Sequence, residues 1–168
     1  MILTASEISA CQARGEINIT PYDAKRLNPC SYTYRLGPDL GVPVIHPDNS
    51  VTFETITIPP EGYVLQPGRM YLGHTLETLG STHYAMSLVG RSSLGRLGLF
   101  LQVTANLINV GSQHQITLEL VAALPLRVYA GMDIGEMSFW QTYGDVKRYQ
   151  GGYSAYNAPT ASQHRERQ

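Results

Sequence analysis

Seven consecutive residues, Gly90-Arg91-Ser92-Ser93-Leu94-Gly95-Arg96, set two guanidinium groups and two hydroxyls among glycines. Arginine forks match the oxygens of a phosphate, and glycines let backbone N–H groups come close to an anion. The segment is a compact set of groups for a phosphate-bearing ligand. A second segment, Gln115-Ile116-Thr117-Leu118-Glu119-Leu120, puts one carboxylate between two leucines, and no other charge occurs across residues 112–126. As a strand, it sends Glu119 to the face opposite Leu118 and Leu120. A carboxylate in apolar surroundings near an anion site is a candidate general base with a raised pKa.

Short strands must position these groups. Only the start of the chain reads as a helix. There Thr4-Ala5-Ser6-Glu7 has the form of a capping box, with the Thr4 hydroxyl taking the Glu7 N–H and the Glu7 side chain reaching back. Leu3 and Ile8 stand at the staple positions, and Gly15 offers a stop after about three turns. Residues 52–58 then alternate apolar and polar at period two until Pro59-Pro60 ends the run. Strand texture recurs at 70–76, 83–89, 99–103, 115–121, 126–129 and 135–140. Many short strands punctuated by glycine and proline predict an all-β sandwich or barrel. At 168 residues the chain reads as one domain, 1–168, with no repeat and no internal boundary.

Charged residues make up only 15% of the chain against 43% hydrophobic, a low share for a monomer's surface, so sister subunits are expected to cover part of it. A net charge of −1 argues against nucleic-acid binding, which brings a basic excess. No apolar run approaches a membrane span and no signal peptide opens the chain, so a cytoplasmic protein without a membrane partner is expected. Cys11 and Cys30 then read as reduced thiols. Two separated cysteines and the scattered His46, His74, His83, His114 and His164 give no zinc-ligand spacing, and the PCxxC of zinc deaminases is absent. From Gly144 onward the chain turns Tyr-, Gly- and Ser-rich and closes on a polar run, which by itself reads as a frayed terminus.

The two opening segments, extended by Leu97-Gly98-Leu99 and joined by Val103-Thr104-Ala105, resemble the central motifs of the dCTP deaminases, a branch of the dUTPase-like nucleotide hydrolases. The likeness runs in order along nearly the whole chain. It includes Met1-Ile2-Leu3-Thr4, Asn28-Pro29-Cys30-Ser31-Tyr32 with Arg35-Leu36-Gly37, Leu65-Gln66-Pro67-Gly68 and Thr75-Leu76-Glu77. It continues through Pro125-Leu126, Tyr129-Ala130-Gly131-Met132, Ile134-Gly135, Tyr149-Gln150 and Pro159-Thr160-Ala161-Ser162. The resemblance implies an all-β fold of the dUTPase-like type: a distorted β-barrel or jelly roll with one short N-terminal helix. It also implies a homotrimer with active sites between subunits, where residues 91–96 of one chain meet Glu119 of a neighbour.

The chemistry implied is hydrolytic deamination. Water attacks C4 of cytosine while one carboxylate takes the water proton and returns it to the departing ammonia. Glu119 matches that general base. Ser92 resembles the hydroxyl that orients the water and the exocyclic amine, Arg96 the arginine that supports the charge balance, and Ala105 the position whose backbone holds pyrimidine and water. Arg91 and Ser93 resemble triphosphate ligands, and Thr104 belongs to the same substrate-binding stretch. Gln102 and Asn106 read equally as base-pocket residues or as polar residues at a ladder edge. The resemblance turns residues 144 to about 162 into a lid on glycine hinges, with Lys147, Arg148, Tyr149 and Gln150 contacting phosphates and disorder beyond. Mg²⁺ is expected as a companion of the triphosphate, bound by phosphate oxygens and water, and zinc is not expected.

Ile108-Asn109-Val110-Gly111-Ser112 departs from the family's Ile-Asp-Pro-Gly-aromatic. In the dUTPase branch that aspartate activates the water that cleaves the triphosphate, and an asparagine cannot take its proton, so diphosphatase activity is disfavoured. In the deaminases the acid sits near the sugar, which makes Asn109 a substrate-binding candidate. Val110 leaves the loop less rigid than proline, and Ser112 removes apolar cover. Thr33 stands where Ser-Tyr-Asp-Leu-Arg-Leu-Gly has its acid, a change read as structural. Ordinary drift accounts for these replacements; a changed substrate is the sharper alternative. The expectation is a metal-free dCTP deaminase that forms dUTP and ammonia with Glu119 as base and then acid. The alternatives are a dUTP diphosphatase or bifunctional enzyme, a deaminase of another or modified cytosine nucleotide, and a non-catalytic nucleotide sensor.

Overall fold

A computed structural model describes residues 1–163 apart from Val103, Gly152, Ser154 and Ala155. Val103, the end of one predicted strand, and residues 164–168 of the tail expected to be disordered beyond about 162 lie outside the described residues.

The chain opens with helix α1 (Ala5–Arg14), as expected, but the capping box does not form. The Thr4 hydroxyl meets Ser6 Oγ at 3.1 Å, and Glu7 turns to Arg14 at 2.9 Å. A carboxylate with a guanidinium in reach takes the charged partner over a neutral N–H. The helix stops as predicted. Gly15 adopts φ +75°, and the N–H groups of Gly15 and Glu16 close onto the carbonyls of Gln12 and Cys11. Leu3 and Ile8 are both buried.

Strands β1 (Ile17–Thr20), β2 (Leu27–Asn28), β3 (Ser31–Arg35), β4 (Asp39–Ile45), β5 (Val51–Thr57), β6 (Tyr63–Leu65), β7 (Met70–Ser81) and β8 (Tyr84–Gly90) follow. A one-turn helix α2 (Ser92–Gly95) leads to β9 (Leu99–Leu101), β10 (Leu107–Ile108), β11 (Gln113–Ala122), β12 (Leu126–Val128) and β13 (Asp133–Gln141). One sheet runs β5-β4-β7-β11-β9, with β1 also on β7; a second runs β10-β8-β13-β3-β2, and β6 pairs with β12. The architecture is the expected all-β one. Its distorted barrel stays open, because β5 and β9 end one path and β10 and β2 the other.

Side chains of both sheets meet in one core, where Tyr32, Tyr34, Tyr71 and Phe139 are fully buried. Strand alternation feeds it: β11 buries Ile116, Leu118, Leu120 and Ala122 and leaves Thr117, Glu119 and Val121 half-exposed. Strand β3, which the sequence does not announce, has no aliphatic residue and contributes through tyrosines. Tyr34 Oη donates to the Val89 carbonyl at 3.1 Å, and Tyr32 Oη accepts the Asp23 N–H at 3.0 Å. Thr33 is buried beside them and accepts from Asn28 Nδ2 at 2.9 Å, a structural role. Strand β7 outruns its predicted end at Leu76. The next residue, Glu77, is fully buried, with the Arg35 N–H and Nε donating to its two oxygens at 2.9 and 2.7 Å.

Candidate active site

Strand β11 lies between β7 and β9, and its register against β7 shifts partway along. Gln115 pairs with Thr78 and Thr117 with His74, so Ile116 alone faces Thr75, Leu76 and Glu77. The Thr75 hydroxyl fills the break: it accepts the Ile116 N–H at 2.9 Å and donates to the Glu77 carbonyl at 2.7 Å. This irregularity falls between His114 and Glu119, and both line one cavity of about 500 Å³.

Glu119 stands half-buried on the cavity wall, and among the described residues its carboxylate makes no hydrogen bond or ion pair. Its backbone is held by Gln102. The Gln102 Oε1 accepts the Glu119 N–H at 2.6 Å, the Gln102 N–H donates to the Glu119 carbonyl at 3.3 Å, and Nε2 donates to the Ala105 carbonyl at 3.3 Å. Gln102 adopts φ +46°, a conformation that non-glycine residues seldom take and that must be supported by such bonds. It is therefore both a cavity residue and a completed ladder edge. Asn106 is exposed, reaches Ser87 Oγ at 3.4 Å and is not on the cavity lining.

Ala105 and Asn109 line the same cavity, and Ser112 is buried in its wall at 3% exposure. The aromatic cover missing at Ser112 comes instead from the tail, where Tyr149, Tyr153 and Tyr156 reach the cavity. The tail is tied down along β11. Tyr149 N–H donates to the Val110 carbonyl at 2.8 Å, Gln115 N–H to Asn157 Oδ1 at 3.0 Å, and Thr117 Oγ1 to the Ala158 carbonyl at 3.3 Å. Thr104, Lys147, Arg148 and Gln150 are exposed and off the lining.

The arginine–serine segment sits elsewhere. Ser92 and Ser93 are exposed in α2, Arg96 is exposed at its end, and none lines the cavity of its own chain. Arg91 donates to one oxygen of Asp133 at 3.0 Å, while Arg26 grips the other. The fold thus gathers Glu119, Gln102, Ala105, Asn109 and Tyr149, and it keeps Arg91, Ser92, Ser93 and Arg96 apart from them within one chain.

His114 is a cavity residue that the sequence presents only as a scattered histidine. Its place on the strand of Glu119 was the available signal. Its Nδ1 is buried without a hydrogen-bond partner among the described residues, and burial holds its pKa below the usual imidazole range. Among the described residues, no three His, Cys, Asp or Glu side chains gather as metal ligands, and no helix is long and apolar enough to cross a membrane. Cys11 and Cys30 are free thiols.

A family model described as dCTP deaminase-like matches residues 2–142. A Leptospira biflexa protein named dCTP deaminase, dUMP-forming is 41% identical over 157 residues, covering 90% of this chain and 88% of that protein. A Cytophaga hutchinsonii protein of the same name is 39% identical over 163 residues, covering 94% and 92%. A Rhodopirellula baltica protein named dCTP deaminase is 38% identical over 149 residues, covering 86% and 74%. The crystal structure of 2′-deoxycytidine 5′-triphosphate deaminase from Agrobacterium tumefaciens matches with a TM-score of 0.66 at 23% identity, over 82% of this chain. The present chain spans 46% of that longer one, and the likeness is one of fold.

Proposed function

Because the chain belongs to the dCTP deaminase family, we propose that it deaminates dCTP in the cavity beside Glu119. The observation that carries this is the Glu119 carboxylate, without a partner among the described residues and fixed through its backbone by Gln102 on the wall of a nucleoside-sized cavity. Glu119 takes a proton from water as the water oxygen bonds to C4. It then hands that proton to the amino nitrogen as the C4–N bond breaks, leaving uracil and ammonia. Ser92 and Arg96 of a neighbouring subunit complete the site in a homotrimer, with Arg91 and Ser93 on the triphosphate. Their exposure, and their absence from the cavity of their own chain, support that arrangement for Ser92, Ser93 and Arg96. The tail acts as a lid, its tyrosines over the nucleoside and Lys147, Arg148, Gln150 and Thr104 toward the phosphates. Mg²⁺ enters with the triphosphate. The reaction belongs in the cytoplasm.

The end product proposed is dUMP, after the names of the relatives at 41% and 39% identity, which revises the expectation of dUTP. Asn109 favours a second reading in which the enzyme stops at dUTP, since an amide cannot take a proton from the water that cleaves the triphosphate. One assay separates these outcomes: ammonia release and product analysis with dCTP, CTP, dCMP and dUTP, each with Mg²⁺, for wild type and Glu119→Gln. Ammonia from dCTP that falls by about 10³-fold or more in the variant supports the deaminase. Pyrophosphate in step with ammonia selects dUMP, and its absence selects dUTP. Nucleotide binding without turnover leaves a sensor and sinks the deaminase reading.

A further inference from the structure

Among the described residues that line the cavity, His114 is the one with a buried side-chain nitrogen that lacks a hydrogen-bond partner, and the proposed chemistry does not use it. Its Nδ1 is buried without a partner among the described residues, a condition that costs free energy unless a ligand relieves it. His114 lies five residues from Glu119 on β11, about 17 Å along a regular strand, so the imidazole and the carboxylate line different stretches of the cavity wall. In cytosine, C4 and N1 stand on opposite sides of the ring. With C4 at Glu119, the sugar on N1 leaves the ring on the side away from Glu119, and Asn109, Ser112 and His114 are among the polar residues that line the same cavity. The described lining contains no lysine or arginine, so it offers no home for phosphates. Burial also keeps the imidazole neutral, with one donor and one acceptor. Such a group suits a hydroxyl better than an anion, and the sugar of dCTP has a single hydroxyl.

We infer that His114 is a specificity-determining residue that hydrogen-bonds the 3′-hydroxyl of the substrate's deoxyribose. This rests on Glu119 acting at C4. A hydroxyl both donates and accepts, so it satisfies the buried nitrogen whichever tautomer is present.

The test compares dCTP with 2′,3′-dideoxycytidine 5′-triphosphate, each with Mg²⁺, on full-length wild type, His114→Ala and His114→Gln. Wild type is expected to lose about ten- to hundredfold in kcat/KM on the dideoxy nucleotide, the usual cost of leaving a buried polar group unpaired. His114→Ala should lose a similar factor on dCTP and show no further discrimination between the two nucleotides. His114→Gln, which keeps a donor and an acceptor, should restore part of the ratio. The ratio is internal to each variant, so a fraction of unfolded protein does not change it. If the alanine variant does not fold, the glutamine variant carries the test with an intermediate ratio expected. An alanine variant that keeps the wild-type ratio overturns the inference and leaves the deaminase reading intact. If wild type releases no ammonia from dCTP, the deaminase reading falls, and the same ratio is read from dissociation constants by calorimetry. Equal constants in wild type, or binding of neither nucleotide, overturn the role of His114.

Discussion

A single glutamine sets the position of the proposed base. Gln102 holds both backbone groups of Glu119 and the Ala105 carbonyl, and it does so from a backbone conformation with φ +46°. Gln102→Ala removes two side-chain hydrogen bonds and leaves the Glu119 N–H and the Ala105 carbonyl without them. A displaced carboxylate loses its alignment with the attacked carbon, so kcat for ammonia release should fall by about 10²-fold, with the melting temperature down by only a few degrees. An unchanged kcat would show that the bridge does not set the base. Glu119 itself was legible, because one charge between leucines in a long uncharged run stands out. Gln102 was open between two readings, since nothing in a single glutamine tells which backbone groups a left-handed turn will bring to it. His114 was illegible for a related reason. A register shift at Ile116, two residues away, breaks the alternation that would have related it to Glu119.

Strand β11 acts as a ruler for the cavity, and Thr75 sets its irregular step. Its hydroxyl replaces a ladder hydrogen bond for Ile116 and braces Glu77. Thr75→Val keeps the shape and orphans the buried Ile116 N–H, a loss of about 1–3 kcal/mol. Thermal melting should drop by roughly 3–10 °C, with KM for dCTP rising as the cavity walls shift. A melting point within a degree of wild type would mean that the shift is held by other contacts. Among the elements, those with period-two alternation or a glycine stop were legible, as α1, β5 and β11 were. The capping box failed because Arg14 competed for Glu7. Strands β3 and the far half of β7 were missed because tyrosines and a buried Glu77–Arg35 pair carry them, and neither follows an apolar pattern.

At the scale of the molecule, the separation of Ser92 and Arg96 from Glu119 makes a prediction about assembly. If each site takes its serine and arginine from one chain and its glutamate from another, two inactive variants can repair each other. Glu119→Gln and Ser92→Ala, unfolded together in equal amounts and refolded, should recover about a quarter of the wild-type rate by random mixing in a symmetric ring. No recovery, despite mixed oligomers seen by mass spectrometry, would place each site within one chain.

Acid should also act on the whole fold through His74, buried in β7, whose Nε2 has no hydrogen bond among the described residues and stands 4.0 Å from Asp39 Oδ2; burial lowers its pKa against the opposing pull of Asp39. The unfolded imidazole takes a proton near pH 6.5 and the folded one resists it. Stability is then full above about 6.5 and is lost as pH falls toward the folded pKa. His114 adds to the same window. The half-buried Glu16, held down to about 2 by Arg14, titrates below it. Melting temperature should therefore decline between about pH 6.5 and 5 and stay flat from 7 to 8. A flat profile down to pH 5 would mean that both histidines accept protons freely in the folded chain.

The pairing of β3 with β13 has a consequence for the birth of the protein. Thr33 waits for Glu136, more than a hundred residues later in the chain. During synthesis at about 5–20 residues per second, that edge of β3 stays open for roughly 5–20 s. Tyr32 and Tyr34, fully covered in the finished fold, are in that interval part of a strand with one open edge that a second nascent chain can capture. The polypeptide is thus most exposed to misassembly while it is still being made, and slower translation lengthens that window in direct proportion.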